Sequence, residues 1–422
     1  MVAGSVLLSF GMDRLSQIRA LIEAEMAGLP TERHDPSQGL PLQVVSFGAD
    51  EVTAALQCML STWVTMGPKV REFEAEWAAW CGAKHGVMSN SGSSANLLML
   101  AAMVETGRLQ RGDEVLVPAV AWSTSLFPVQ QCGLVPVLVD VHPQTLCMDP
   151  AAAKAAMGPR TKAALAVHML GQPTRVDALR ELGLVVLEDA CPAPGAEIAG
   201  LGRAGSMGHA GSFSFFFSHH ITTVEGGITV TNDPELADAM RSLRAHGWVR
   251  EREDKADWEQ KHPEIDPRFL FVSSGWNLRP TEMAGAMGLI QLQRLPPWLE
   301  RRRENHRHWC ELLAPLAPKL RCFPMREGET HAAFSFAMLL EEGIERAPVM
   351  AALESSGIAT RPISGSNLAR QPAFERVPGA RIGGPLPVAD AVHERGFFVG
   401  NSHAFHAGHG ALLAARLQEI LA

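Results

Sequence analysis

The stretch Gly211–Gly227 reads GSFSFFFSHHITTVEGG and is the most informative segment of the chain. Its apolar first half predicts a strand, the polar residues after it predict a turn, and the glycine pair leads into a second strand at Ile228–Thr231. The turn carries two adjacent histidines, His219 and His220. Imidazole titrates near neutral pH, so a histidine here can accept and donate protons. A single histidine is more often structural, but an adjacent pair after an apolar strand favours a functional site.

The region from about 50 to 295 alternates short apolar runs with helical patterns. Continuous apolar runs are typical of strands that are covered on both faces. The clearest runs are Glu114–Pro118, Val135–Asp140, Ala163–Val167 and Leu184–Asp189. They predict an α/β fold with a mostly parallel central sheet and helices on both sides. Because ligands of such sheets bind beyond the carboxyl ends of the strands, polar residues at those ends are candidate site residues.

The two ends of the chain have different patterns. Apolar spacing predicts a helix over 13–27, and the Pro- and Gly-rich residues 28–48 predict a linker. After Pro296-Pro297 a charged helix is predicted over 300–313, followed by a strand over 333–340 and a helix near 347–356. We therefore predict an N-terminal helix and linker (1–48), a large α/β domain (49–295) and a small C-terminal α+β domain (296–422).

Two candidate binding elements precede the opening stretch. Ser93 and Ser94 lie just before an apolar helix predicted over 97–104, where free backbone N–H groups could hold a phosphate. The alternative is that these small polar residues only cap the helix. Trp122 follows the strand at 114–118 and could stack on a flat ring, although a tryptophan is more often part of the core.

Three further candidates are polar residues at the ends of elements. Asp189 closes a very apolar strand, so its carboxylate needs a cationic partner or full hydrogen bonding; capping of a following helix is the alternative. Ser214 lies five residues before His219 and could contribute a hydroxyl to the same site. Asn277 stands where another helix begins and could be no more than a cap.

Taken in chain order, these segments resemble the DegT-type sugar aminotransferase family of fold-type-I pyridoxal-phosphate enzymes. The resemblance covers roughly residues 45–405. The matching segments are SGSSANLLML, VPAVAWSTSLFPVQQCGLVPVLVD, EDACPAPGA, GSFSFFFSHHITTVEGG, RAHGW, GWNLRPTEMAGAMGLIQLQRLP and GFFVGN. The resemblance implies a large domain with a mostly parallel sheet and a smaller α+β domain. Within the family the chain is most similar to a branch of nucleotide-sugar 3-dehydratases, which have histidine in place of the cofactor-binding lysine.

The resemblance also implies a role for each candidate. His219 stands at the lysine position and would be the catalytic base, with His220 as its neighbour toward the substrate. Residues implied to bind the cofactor are Asp189 at the pyridine nitrogen, Trp122 on the ring, and Ser93, Ser94, Ser214 and the partner subunit's Asn277 at the phosphate. His246 is implied to approach the site across a homodimer interface. Two departures from the family pattern are Pro192 and the segment 331–334.

The implied activity is removal of the C3 hydroxyl from a nucleotide-linked 4-keto-6-deoxyhexose, with GDP-4-keto-6-deoxymannose as the favoured substrate. The cofactor would be pyridoxal phosphate or its amine form, pyridoxamine phosphate, bound without a covalent link, and an amino acid such as glutamate would restore the amine. Two alternatives remain open: an aminotransferase that acts on another keto-sugar, and a noncatalytic protein that binds the cofactor.

Composition argues against several other classes. The net charge of −8 disfavours nonspecific binding of nucleic acid. Seven cysteines are scattered without a C-x-x-C pair, and residues 249–266, where an iron–sulfur-dependent relative has its ligands, contain none; we therefore expect no iron–sulfur cluster and no metal site. The apolar stretch Val6–Phe10 is too short for a signal peptide or a membrane span. We expect a cytoplasmic protein without a membrane partner.

Overall fold

The structure is a computed structural model and describes residues 12–422; the apolar stretch at 6–10 lies outside them. The strands are β1 His85–Ser89, β2 Glu114–Pro118, β3 Val135–Val139, β4 Thr161–Val167, β5 Val185–Asp189, β6 Glu197–Ile198, β7 Gly202–Arg203, β8 Ala210–Ser214, β9 Gly227–Thr231, β10 Leu320–Cys322, β11 Glu329–Thr330, β12 Ser335–Leu340, β13 Thr360–Pro362, β14 Arg381–Ile382 and β15 Gly396–Gly400. The α-helices are α1 Met12–Met26, α2 Ala49–Leu60, α3 Pro68–Cys81, α4 Gly92–Glu105, α5 Ser123–Gln131, α6 Pro150–Ala156, α7 Val176–Glu181, α8 Pro234–Arg244, α9 Lys255–Lys261, α10 Glu282–Leu313, α11 Arg346–Ser355, α12 Pro387–Arg395 and α13 Ala407–Ile420.

An eight-stranded sheet forms the centre of the molecule, in the order β1-β9-β8-β5-β4-β2-β3-β14. Strand β9 runs antiparallel to both neighbours, and the pairs from β8 to β14 are parallel. Alternate residues of β2 enter two different cores: Val115 and Val117 pack with α4, α5 and α8, whereas Leu116 packs with α3, α7 and α10. This burial on both faces explains the continuous apolar runs and confirms the predicted α/β fold with a mostly parallel sheet.

Strands β8 and β9 are the two strands predicted from the opening stretch, and they pair from Ala210↔Thr231 to Ser214↔Gly227. The connection between them, residues 215–226, is a loop rather than a tight hairpin turn. Gly227 lies so close to the start of α4 that an added Cβ would be 2.3 Å from the Ser91 carbonyl oxygen. Only a glycine permits this approach, which brings the histidine-bearing loop next to a helix N-terminus.

A smaller antiparallel sheet, in the order β10-β12-β15-β13, packs against α11 and α13 in the C-terminal part of the chain. The strand predicted over 333–340 and the helix predicted near 347–356 correspond to β12 and α11, and the helix predicted over 13–27 corresponds to α1. The residues predicted as a helix over 300–313 are helical, but the predicted start is wrong, because α10 begins at Glu282 and runs through Pro296 and Pro297. Burial of Leu295, Trp298 and Leu299 beside the prolines holds the helix together there.

The proposed division of the chain at 48/49 and 295/296 stays a prediction, and three observations bear on it. Helix α10 crosses the second boundary, and β14 belongs to the large sheet although it lies in the C-terminal part of the sequence. The segment 28–48 is packed against the small sheet, with Leu40 completely buried. Of the helices in residues 12–422, none combines the length and the apolar character needed to cross a membrane.

Candidate active site

A cavity of about 650 Å³ opens beyond the carboxyl ends of β4 and β5, beside the start of α4 and the loop that follows β8. Five of the predicted site residues line it, namely Ser93, Trp122, Asp189, Ser214 and His219. They come from four separate parts of the chain, and the parallel sheet brings them together at one edge, as expected for strands that end side by side. The roles assigned to them from the sequence stay predictions.

Asp189 accepts hydrogen bonds on both of its carboxylate oxygens. Its Oδ2 accepts hydrogen bonds from Asn96 Nδ2 at 2.9 Å and from Ser125 Oγ at 2.6 Å, and its Oδ1 accepts from the Cys191 backbone N–H at 3.2 Å. Ser212 Oγ donates to Asn96 Oδ1 at 2.6 Å and thereby fixes the orientation of the amide. All of these donors are neutral, so the buried carboxylate has no cationic partner within the described chain and is placed to pair with a cation in the cavity.

Sequence reasoning missed Asn96, Ser125 and Ser212. The available signal was Asn96 itself, an amide among apolar residues of a helix, which implies a buried polar contact. Its side-chain partners Asp189 and Ser212 are 93 and 116 residues away in the chain and therefore cannot be read from local spacing.

The start of α4 contains a helix cap, and its position is compatible with the predicted phosphate site. Ser91 caps the helix, since its Oγ accepts from the Ser94 N–H at 3.1 Å, and Ser93 is exposed to the cavity. Ser94 does not line the cavity. Gly92 lets the helix approach β8, because an added Cβ would lie 2.5 Å from the Ser214 Cβ. The free N–H groups of the first turn thus lie next to two serine hydroxyls, an arrangement that suits a phosphate.

His219 lines the cavity from the loop after β8, and its ring packs against Phe334 at 5.1 Å between centroids. Burial lowers the pKa of His219 to about 4, although the negative charge of Asp189 and a hydrogen bond to the Cys191 backbone act in the opposite direction; the Arg302 cation lowers it further. The imidazole is therefore neutral at pH 7 and available to accept a proton.

His220 lies behind His219 and not on the cavity. It is completely buried, its Nε2 donates to the Ala332 carbonyl at 2.8 Å, and its ring contacts Phe334. Burial, followed by the Arg302 charge, lowers its pKa well below the ordinary value. The structure thus gives His220 a packing position, and its predicted contact with substrate stays a prediction that no contact here supports.

The segment 331–335 contacts both histidine rings through Phe334. Arg302 of α10 donates from Nη1 to the carbonyls of Phe334 and Asn401, and Arg303 donates from Nε to the His331 carbonyl at 2.9 Å. The guanidinium of Arg302 is completely buried, and burial lowers its pKa to about 9. The departure from the family pattern at 331–334 is thus a loop clamped by two arginines, and the other departure, Pro192, lines the cavity.

Asn277 and His246 are exposed and do not line the cavity of their own chain. They are adjacent on the surface, because Ala245 forms a β-bridge with Asn277 and the His246 N–H donates to the Trp276 carbonyl at 2.7 Å. Exposed Trp276 and Phe271 lie in the same segment. This position is compatible with a contribution to a second subunit, which stays a prediction.

The cavity has two walls of different origin. The large-sheet wall consists of Ser93, Asn96, Ser125, Asp189 and Ser214. The small-sheet wall consists of Leu42 and Gln43 from the N-terminal segment and Ser335, Arg361 and Phe398 from the small sheet. Sequence reasoning missed the small-sheet wall altogether, because it treated 28–48 as a linker and assigned no site residue after Asn277.

The part of the chain that the structure describes, residues 12–422, contains no group of three or more histidine, cysteine or acidic side chains placed to hold a metal ion. All seven cysteines are free thiols.

Comparison with known proteins identifies the family. The family model described as the DegT/DnrJ/EryC1/StrS aminotransferase family matches residues 46–410. The chain belongs to this family. The central sheet, the cavity at its carboxyl edge and the smaller C-terminal sheet are accordingly those of the fold-type-I, pyridoxal-phosphate-dependent transferase fold.

Among its relatives are enzymes named 3-dehydratases. The chain is 39% identical over 372 residues to GDP-4-keto-6-deoxy-D-mannose 3-dehydratase of Yersinia pseudotuberculosis, covering 86% of this chain and 93% of that enzyme. A crystal structure of GDP-4-keto-6-deoxymannose-3-dehydratase, a histidine-to-asparagine variant with bound GDP-perosamine, is 34% identical, with a TM-score of 0.84 and coverage of 91% and 100%. A second structure of a 3-dehydratase of that name, with a trapped PLP-glutamate geminal diamine, has a TM-score of 0.83 at 34% identity, with the same coverage.

Proposed function

We propose that this protein is a dehydratase that uses pyridoxal phosphate and pyridoxamine phosphate to remove the C3 hydroxyl of a nucleotide-linked 4-keto-6-deoxyhexose. One observation carries the proposal: His219 lines the same cavity as Asp189, and the lining contributed by residues 12–422 includes no lysine. A lysine would bind the cofactor aldehyde covalently, whereas an imidazole leaves the cofactor free and moves protons. The name shared by the relatives supports GDP-4-keto-6-deoxy-D-mannose as the substrate.

The residues present fit the cofactor. Asp189, a buried carboxylate with neutral partners, would pair with the protonated ring nitrogen, and Trp122, 61% exposed at the cavity, would cover a face of the ring. Ser93, Ser214 and the first turn of α4 would hold the phosphate. When bound, the cofactor supplies an electron-withdrawing ring that stabilises negative charge on the carbon attached to its amine.

The chain's own contribution to the reaction is proton transfer and electrostatics. His219, neutral at pH 7 because desolvation lowers its pKa, would accept the proton from the carbon next to the ring of the bound cofactor and become an imidazolium. The imidazolium then gives a proton to the C3 oxygen of the sugar, because hydroxide is a poor leaving group and water a good one. Asp189 would pair with the ring nitrogen of the bound cofactor and favour its protonated form. Phe334 and the Arg302 clamp hold the imidazole in place.

Glutamate balances the reaction as the donor of nitrogen and of two electrons. The sugar loses its C3 oxygen, glutamate is oxidised to 2-oxoglutarate, and the nitrogen leaves as ammonia. The glutamate adduct named in a neighbouring structure supports this choice of donor. We further propose a homodimer in which Asn277 and His246 complete the partner's site, and a cytoplasmic enzyme, in keeping with seven free thiols.

Product analysis tests the proposed function. The purified protein is incubated with pyridoxal phosphate, L-glutamate and GDP-4-keto-6-deoxy-D-mannose, and the products are identified by mass spectrometry and NMR. We expect a 3-deoxy-4-keto sugar, ammonia and 2-oxoglutarate. Nitrogen retained at C4 with the C3 hydroxyl intact would show an aminotransferase instead, and an unchanged sugar would contradict the proposal. Parallel reactions with the CDP- and dTDP-linked analogues show which nucleotide the enzyme prefers.

A further inference from the structure

The N-terminal segment 40–46 is a fixed part of the active site. At one end, the Leu40 N–H donates to the Gly357 carbonyl at 2.9 Å, and the Leu40 carbonyl accepts from the Ala359 N–H at the same distance. At the other end, Gln291 of α10 donates from Nε2 to the Ser46 carbonyl at 2.8 Å. The segment is therefore tied to both the small-sheet region and α10, with Gln43 midway between the two attachments.

The middle of this segment lies directly on the end of β15. An added Cβ on Gly400 would be 2.2 Å from the Pro41 carbonyl oxygen and 2.6 Å from that of Leu42. Such a close backbone approach leaves the segment little freedom to move away from the cavity. Leu42 and Gln43 consequently line the cavity from a defined position.

The side-chain amide of Gln43 has a donor with no partner. Its Nε2 is buried, and no atom of residues 12–422 accepts a hydrogen bond from it. Buried polar groups are nearly always paired, so an unpaired donor on a cavity wall is unusual. Ser335 Oγ, on the same small-sheet wall, is also buried and unpaired within the described chain, and Arg361 adds a positive charge beside them.

We propose that Gln43 is a substrate-recognition residue whose Nε2–H donates a hydrogen bond to an acceptor oxygen of the molecule that occupies the cavity beside the cofactor. This inference rests on the proposed function, which supplies two such molecules in turn. The acceptor is either an oxygen of the keto-sugar or a carboxylate oxygen of glutamate. Both have the same chemistry, and the two half-reactions distinguish them.

The test compares Gln43→Met and Gln43→Glu with the exposed control Gln57→Ala on α2, all as holoenzymes. Met keeps the side-chain volume without the donor, and Glu replaces the donor with an acceptor. Stopped-flow absorbance of the bound cofactor gives the apparent Kd of L-glutamate in the amination half-reaction. Steady-state dehydration gives KM for GDP-4-keto-6-deoxy-D-mannose, and calorimetric titration of that sugar nucleotide gives its Kd without reliance on turnover.

We expect both Gln43 variants to raise either the apparent Kd of L-glutamate or the KM and Kd of the sugar nucleotide at least tenfold. Their kcat should change less than threefold, and Gln57→Ala should have the kinetic and binding constants of the wild type. If only the KM and Kd of the sugar nucleotide rise, the acceptor of the Gln43 hydrogen bond is a sugar oxygen. If only the apparent Kd of L-glutamate rises, the acceptor is the glutamate carboxylate. Gln43→Met should also unfold at a temperature no lower than the wild type, because it removes a buried unpaired group.

A folded Gln43→Met enzyme with both constants within twofold of the wild type would overturn the inference, and Gln43→Glu provides the second variant if Met does not fold. Failure of the proposed function is a different result, since it appears as absence of dehydration in the wild type.

Discussion

The large-sheet wall and the small-sheet wall of the cavity differ in how their polar atoms are paired. Both oxygens of Asp189 accept hydrogen bonds from within the chain, and Asn96 is bonded at both ends of its amide. On the small-sheet wall, Gln43 Nε2 and Ser335 Oγ have no partner in residues 12–422. A paired wall is organised before its ligand arrives, whereas an unpaired one gains its hydrogen bonds from the ligand. Cofactor binding and substrate recognition should therefore be separable by mutation.

The largest effect is expected for His219→Ala. Removal of the imidazole should lower kcat for dehydration by about 10²- to 10⁴-fold, the usual range for a general acid–base residue. Cofactor affinity should change little, because other residues hold the cofactor. The measurement is steady-state kinetics alongside a spectroscopic titration with pyridoxamine phosphate. Dehydration that survives undiminished would show that another group moves the proton.

Asp189→Asn tests the organisation of the large-sheet wall. The substitution keeps the size but removes the charge and replaces one acceptor oxygen with an NH2 donor that faces another donor, so we expect about a 100-fold loss of kcat/KM and weaker binding of the cofactor, roughly 3 kcal/mol. The neighbouring Glu188 is the matched control, since it bonds to His168 and to the Gly205 and Gly208 N–H groups away from the cavity.

Glu188→Gln should therefore destabilise the fold by about 1–3 kcal/mol, the cost of disturbing a buried polar network, and spare the activity of the molecules that remain folded. Chemical denaturation measures the loss of stability, and the activity per folded molecule measures the loss of catalysis. Equal effects of both substitutions on activity would mean that the two carboxylates do not have the different roles assigned here.

Acid should destabilise the fold through two histidines whose pKa is lowered in the folded chain. The pKa of His219 is lowered by burial to about 4, and that of His403, which stacks on Trp298 and bonds to the Thr31 carbonyl, to about 3. Between about pH 6.5 and these values the unfolded chain binds more protons, so each histidine lowers the free energy of unfolding by about 1.4 kcal/mol per pH unit as the pH falls.

Urea unfolding at pH 7.0, 5.5 and 4.5 measures this slope. His403→Phe keeps an aromatic ring stacked on Trp298. It should reduce the dependence of the free energy of unfolding on pH by about 1.4 kcal/mol per pH unit, the contribution of one histidine. The kcat/KM of the enzyme should likewise fall at acid pH, as His219 becomes protonated and can no longer accept a proton. A slope that His403→Phe leaves unaltered would show that His403 is not the group responsible.

The smallest effect is expected from a pair of serines on opposite walls. Ser125→Ala removes a hydrogen bond to Asp189 and should cost about 1 kcal/mol of cofactor binding or stability. Ser335→Ala removes a hydroxyl without a partner in the described chain, so it should leave the thermal midpoint and cofactor affinity unchanged and raise a substrate constant a few-fold. Equal losses of cofactor affinity in both variants would contradict the assignment of the cofactor to the large-sheet wall and of the substrate to the small-sheet wall.

Much of the fold and part of the site could be predicted before the structure. Apolar runs located the strands of the central sheet, and polar residues at their ends included Asp189, while the loop after β8 included His219. The features that were not predicted depend on contacts between residues that are distant in the sequence. Asn96 and Ser125 reach Asp189 from other elements, and α10 continues through Pro296 where the neighbouring residues are buried.

The sequence by itself determined the alternation of strands and helices, and it placed a histidine rather than a lysine after β8, because hydrophobic periodicity and residue type are local properties. Only the tertiary structure decided that His219 faces the cavity while His220 faces the interior, and that a segment resembling a linker forms part of the active site. Which atoms meet depends on packing between residues hundreds of positions apart, and such packing leaves no periodic signal in the sequence.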